Sequence, residues 1–103
     1  MDVRCYKLIT GVELIAEDCG PTGMGYKVHR PLQVHFLRGQ DGSEQMAFAH
    51  YIMTADQDAV IELYNHVLAC PPLQTIPAIE QSYIQNVSGL ILPPKVAGQI
   101  ITG

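Results

Sequence analysis

Apolar and polar residues alternate with a period of two through the first half of the chain, the signature of half-buried strands. Residues 3–9 place Val3, Cys5 and Lys7 on one face of an edge strand. Thr10-Gly11 is a tight-turn dipeptide. Residues 12–17 set Val12, Leu14 and Ala16 opposite Glu13 and Glu17, so the two segments predict a hairpin. Residues 18–25, with three glycines and a proline, predict a loop. From Tyr26 to Leu37 alternation resumes, with Tyr26, Val28, Leu32, Val34 and Phe36 on one face. Pro31 interrupts this segment and cannot donate to a ladder, which predicts a bend, a bulge or an edge position. A polar loop over 38–45 precedes a strand over 46–54 that carries Met46, Phe48, His50 and Ile52 on one face.

The period then becomes ambiguous. Thr54 and Gln57 have capping-box spacing, and Val60, Leu63, Tyr64, Val67 and Leu68 recur at helical intervals, so local propensity favours a helix. The competing reading is two short strands, 59–63 and 66–70, joined by a turn at Tyr64-Asn65. Pro71-Pro72 ends either one. Residues 77–87 predict a helix, with Pro77 at its first position, a stripe of Ile79, Tyr83, Ile84 and Val87, and Gly89 as its stop. Residues 90–92 read as a last extended piece and 93–103 as a flexible tail.

With 103 residues the chain fits one domain with one modest core. Hydrophobic residues make up 48% and charged residues 16%, an apolar balance that suggests part of the surface is covered by a partner. No apolar run approaches the roughly 20 residues that span a bilayer, and no basic-then-apolar leader opens the sequence, so a cytoplasmic protein is expected. Cys5, Cys19 and Cys70 match neither a zinc spacing nor a secreted disulfide framework and read as small buried hydrophobes. Residues 1–38 hold five basic groups against four acids, whereas residues 39–103 hold Lys95 against six acids. Any nucleic-acid site must therefore be local, since a general basic footprint is missing.

The sequence offers no nucleophile–base pair, no phosphate-cradling loop and no paired catalytic carboxylates, so a non-enzyme is expected. His29 and His35 lie six apart and share a face if Pro31 leaves the pleat undisturbed, with His50 a third candidate ligand. That arrangement is outweighed by bland readings of each histidine, and neither metal nor cofactor is expected.

The order of these segments resembles the Sm-like family. Residues 6–17, Tyr-Lys-Leu-Ile-Thr-Gly-Val-Glu-Leu-Ile-Ala-Glu, are similar to the start of the first Sm motif, and residues 26–34, Tyr-Lys-Val-His-Arg-Pro-Leu-Gln-Val, to its continuation. The likeness is greatest to the small Sm-like proteins of phage, including cyanophage, with Val12 standing where they carry a glutamate. It extends through Ala55–Ala69 to a final helix with Tyr83 followed by Ser88-Gly89. The resemblance implies a mainly β protein over residues 1–92: a strongly bent five-stranded antiparallel barrel with a C-terminal helix about 77–88. It also implies strands at 59–63 and 66–70, and a homo-oligomeric ring of five to seven subunits.

A second likeness bears on function. In the bacterial Sm-like RNA chaperones of the Hfq family, the turn between the last two strands carries Tyr-Lys-His and lines a pore that contacts uridine-rich RNA. Tyr64-Asn65-His66 stands in that place, with Asn65 replacing the cation. The Arg-Gly of archaeal and eukaryotic Sm proteins is missing, and Asp18 precedes Met24-Gly25-Tyr26 at a longer spacing than their base-contacting motif. The resemblance implies single-stranded RNA, U- or A-rich, held by Tyr64, Asn65 and His66 with Met24 and Tyr26 nearby. Stacking on a flat ring and hydrogen bonding to a base edge are the chemistry such a site needs. The alternative, favoured by the formal charge of −4, is a ring that scaffolds other proteins and binds no nucleic acid.

Overall fold

The longest strand organises the molecule, and it is bent where Pro31 predicts. The computed structural model describes residues 1–88, so the expectations for 89–103, including the extended piece at 90–92 and the tail at 93–103, lie outside the described residues. Six strands are present among them: β1 (Val3–Lys7), β2 (Glu13–Pro21), β3 (Gly25–Arg38), β4 (Glu44–His50), β5 (Val60–Tyr64) and β6 (Leu73–Gln74). One helix, α1 (Pro77–Ser88), follows them. All pairings are antiparallel, in the order β4-β3-β2-β1-β6, and β5 adds to β3 off this path. The protein is thus mainly β with a C-terminal helix, and the sheet is open among the described residues.

The β1–β2 hairpin forms as its pattern predicts, closed by the Gly11 amide on the Leu8 carbonyl at 2.9 Å. The polar stretches are shorter than expected. β2 runs on to Pro21 and β3 starts at Gly25, while β3 and β4 extend through Arg38 and Glu44 toward the tight turn between them.

β3 carries a bulge that reverses its pleat. Glu17 lies opposite His29 but Ile15 lies opposite Leu32, so Arg30 and Pro31 together face Ala16. Arg30 has φ +54°, a left-handed conformation uncommon for a residue with a side chain. One extra residue in a ladder sends every later side chain to the other face. Tyr26 and Val28 consequently join Tyr6, Leu8, Leu14, Ala16 and Leu63 in one core layer. Leu32 and Val34 join Val3, Ile15, Phe48 and Tyr83 in a second layer beneath α1. The single apolar face expected over Tyr26–Phe36 is therefore two faces. The same reversal puts His29 on the helix side and His35 on the other, which removes the shared face that a histidine metal site requires.

The helix suggested by residues 54–70 does not form. Asp56 takes the Asp58 amide on its side chain at 2.8 Å and the Ala59 amide on its carbonyl at 3.0 Å, a local turn that competes with a helical start. β5 then pairs with Gly25–His29, while β4 pairs with Leu32–Arg38, so the two strands occupy successive halves of one edge of β3. β4 ends at His50, short of the expected Thr54, because the chain must turn to reach the second half. The strand expected at 66–70 is reduced to a 3-10 turn at Asn65–Val67, one bridge between Leu8 and Leu68, and an Ala69 amide bond to the Lys7 carbonyl at 2.8 Å. Among the cysteines, Cys19 is exposed, contrary to expectation, because it sits in a second bulge of β2. Cys5 and Cys70 are half-buried.

α1 buries one side chain completely. Tyr83 is fully buried, and its hydroxyl donates to the Arg30 carbonyl at 2.7 Å, with the His29 carbonyl at 3.2 Å. In the other layer the buried Tyr6 hydroxyl donates to Asp18 Oδ2 at 2.7 Å. Gly20, at φ +111°, supplies the bulge geometry that lets its own amide reach Asp18 Oδ1 at 2.7 Å.

Burial raises both phenols, Tyr6 and Tyr83, well above the ordinary tyrosine range. A group that ionises less readily when folded contributes stability that is complete below its unfolded value, about pH 10 for tyrosine, and is lost as pH rises further. Ultraviolet titration of the five tyrosines should accordingly show two that ionise only together with loss of far-ultraviolet strand signal above about pH 10.

Candidate nucleic-acid interface

The β2–β3 turn and the turn after β5 are built against each other. Thr22 organises the first: its hydroxyl accepts the Met24 amide at 3.1 Å and the Gly25 amide at 2.8 Å and donates to the Glu62 carboxylate of β5. Its own amide bonds the Gly25 carbonyl at 2.7 Å. The second turn is tied to the first by the Asn65 amide on the Met24 carbonyl at 2.8 Å.

Gly25 makes this approach possible. It is buried opposite Tyr64, and a Cβ built there would lie 2.0 Å from the Leu63 carbonyl oxygen and 2.7 Å from the Tyr64 Cα. Both are backbone atoms with no rotamer to yield, so only glycine fits.

On this support Tyr64 and His66 project into solvent and stack, with ring centroids 5.8 Å apart and planes 7° from parallel. Tyr64 lies at the end of β5 and His66 in the middle of the 3-10 turn, which brings two residues separated by one position onto the same side. Asn65 is exposed between them, and Met24, 64% exposed, sits beside them through its bond to Asn65. The structure thus gathers four of the five sequence-predicted residues. Tyr26 is set apart: it pairs with buried Leu63 and packs half-buried against the core layer of Tyr6 and Val28. Lys27, exposed and paired with Glu62, is the cation that the ladder places nearest to these turns.

A second polar cluster escaped the sequence reading. The Arg30 guanidinium holds Asp58 Oδ1 through Nε at 2.9 Å and Nη2 at 2.7 Å and donates from Nη1 to the Val87 carbonyl at 3.2 Å. His29 Nδ1 lies 2.9 Å from Glu17 Oε1 and its Nε2 3.9 Å from Asp58 Oδ1. These contacts fasten the 51–59 turn and the end of α1 to the β3 bulge. The one signal for them was Pro31, which marks the bend but not its partners. Among the described residues no three His, Cys, Asp or Glu side chains are grouped as a metal site would need. Nor is any helix there long and apolar enough to cross a membrane. Burial pushes the Cys5 thiol above its ordinary value, which disfavours the nucleophilic thiolate.

No protein-family model matches this chain, and no curated protein is found to be similar to it.

Gly25→Ala should lower stability by about 1–3 kcal/mol, as overpacking against an unyielding neighbour does. Chemical denaturation measures that loss, and NMR should show the Tyr64 and His66 ring resonances moving while those of Tyr83 stay in place.

Proposed function

We propose that this chain is an Sm-like, ring-forming protein that holds single-stranded RNA, U- or A-rich, at the turn Tyr64-Asn65-His66 with Met24 beside it. The observation that carries the reading is the solvent-facing stack of Tyr64 and His66. Two parallel rings offer a base a ready platform, and such stacking contributes about 1–3 kcal/mol per base with little sequence preference. The Asn65 amide adds a donor and an acceptor for a base edge, the source of the preference for particular bases. Tyr26 supports the turn from the core side and is a weaker candidate for direct contact. The protein is read as a cytoplasmic binding module without catalytic chemistry.

The proposed architecture is a small barrel of Sm type. Support comes from the bend of β3, which lets β4 and β5 pair along one edge in succession, and from the Asn65–Val67 turn, which carries the chain to the far side of β1. Support for a ring comes from the free edges. β5 pairs only with β3 and β6 only with β1 among the described residues, so each leaves one edge open. Pairing the β5 edge of one copy with the β6 side of the next is head-to-tail, and such an interface closes into a ring when the rotation allows. Exposed Val60 and Leu73, at 53% and 52%, lie on those two strands and would be covered.

One observation favours a protein scaffold instead. Large apolar side chains, among them Ile52, Met53 and Ile76, are exposed on a chain of net charge −4, a surface better suited to protein than to phosphate.

Native mass spectrometry with and without a short oligo-uridine separates the readings. The RNA reading predicts one ring mass of five to seven subunits that gains one RNA, an affinity that falls as salt rises, and loss of the complex in His66→Ala. A ring that ignores RNA at low salt would leave the scaffold, and a monomer would remove the ring.

A further inference from the structure

The tip of the β3–β4 hairpin stands clear of the rest of the sheet. The last pairing of β3 with β2 is Leu14 with Gln33, so residues 34–38 have β4 on one side and no described strand on the other. β4 in turn pairs with β3 alone and forms an edge of the sheet among the described residues. Over this stretch the protein is a two-stranded ribbon, which is marginal in water without a further strand or a packed face. Two of its exposed side chains are large and apolar, Phe36 at 63% and Leu37 at 55%. The β4 edge also lacks the features that keep strand edges apart. Glu44–His50 contains no lysine, proline or glycine, its seven residues pair with β3 without a bulge, and Glu44 at one end is its one fixed charge.

We infer that β4 pairs antiparallel with β4 of a second copy of this chain, around a two-fold axis at Ala47. The sequence Glu-Gln-Met-Ala-Phe-Ala-His complements its own reverse in that register. All seven residues then find a partner: Glu44 faces His50, Met46 faces Phe48, and Ala47 faces its symmetry mate. The Glu44 carboxylate accepts hydrogen bonds, and an imidazole can donate one. Within each chain Phe36 lies opposite Met46, and Val34 opposite Phe48. Phe36 and Met46 of one copy therefore continue into Phe48 and Val34 of the other, an apolar row across four strands, and the axis generates a second row beside it. On the opposite face the central pair is two alanines, too small to clash. A foreign strand has to match both the row and the Glu44–His50 pair, whereas a second copy does so by symmetry. The β5 and β6 edges take no part, so the contact joins two single chains or two rings alike. One short edge is a small interface, and the pairing therefore depends on concentration.

Sedimentation equilibrium of the full chain over a concentration series tests the pairing. The mass should double as concentration rises, and the species present at low concentration reports separately on the ring. Ala47→Lys and Ala47→Glu, which set like charges on the axis, should each abolish the doubling, and an equal mixture of the two should restore it. In a Cys19→Ser background, Ala47→Cys should give a disulfide-linked dimer on mild oxidation. Gln45→Cys, about 14 Å from its symmetry mate in this register, should not. A mass that is equal in the wild type and both charged variants at every concentration would overturn the inference. Cross-linking of Gln45→Cys as efficient as that of Ala47→Cys would overturn it too.

Discussion

The hydrogen bond from the Tyr83 hydroxyl to the Arg30 carbonyl ties the helix to the bulge of β3. It joins the only described helix to the one place where the longest strand breaks its pleat. A left-handed Arg30 is costly on its own, at about 1–3 kcal/mol, and persists only where the surroundings over-determine it. Here the carbonyl is held by Tyr83, the guanidinium by Asp58 and the Val87 carbonyl, and the preceding residue by Glu17. The next residue is proline, which disfavours the right-handed helical region at Arg30 and has no amide to leave unpaired.

From that bend the remaining geometry follows. Reversal of the pleat gives one strand two apolar faces, so a sheet of short strands can feed two core layers instead of one. It also lets β4 and β5 share an edge of β3, and β5 delivers Tyr64, Asn65 and His66 to the β2–β3 turn. The exposed stack sits on backbone that cannot shift easily, because Gly25 is already in contact with β5. A preorganised aromatic platform of this kind loses little conformational entropy on meeting a flat ligand. Lys27, paired with Glu62, is the cation that the ladder places nearest to the stack, so phosphate contacts there would add little.

Much of this was legible in the sequence where a period was unbroken. The hairpin of β1 and β2 and the helix from Pro77 were readable from alternation, a turn dipeptide and a proline at the first helical position. The bend at Pro31 was readable too, but not its consequence. A bulge is an offset between two strands, and nothing in a single strand's pattern reveals that Ala16 must face two residues. Local signals also misled at Thr54–Gln57, where a capping pattern lost to an Asp56 turn and to the pairing of Val60–Tyr64 with β3. At the candidate interface the residue types pointed to a turn and to stacking. Thr22 binds two amides within its own turn, but its bond to Glu62 spans forty positions and left no local trace.

The Tyr83→Phe variant tests the account most directly, since it removes one hydroxyl and leaves the ring in the core. If the bend depends on that bond, urea unfolding should show a loss of about 1–3 kcal/mol, the usual cost of an unsatisfied buried carbonyl. Amides of His29 and of Val60–Tyr64 should lose protection along with those of α1, because bend and helix are held by the same contact. A variant with wild-type stability, or one in which only α1 loosens while β5 keeps its protection, would contradict it.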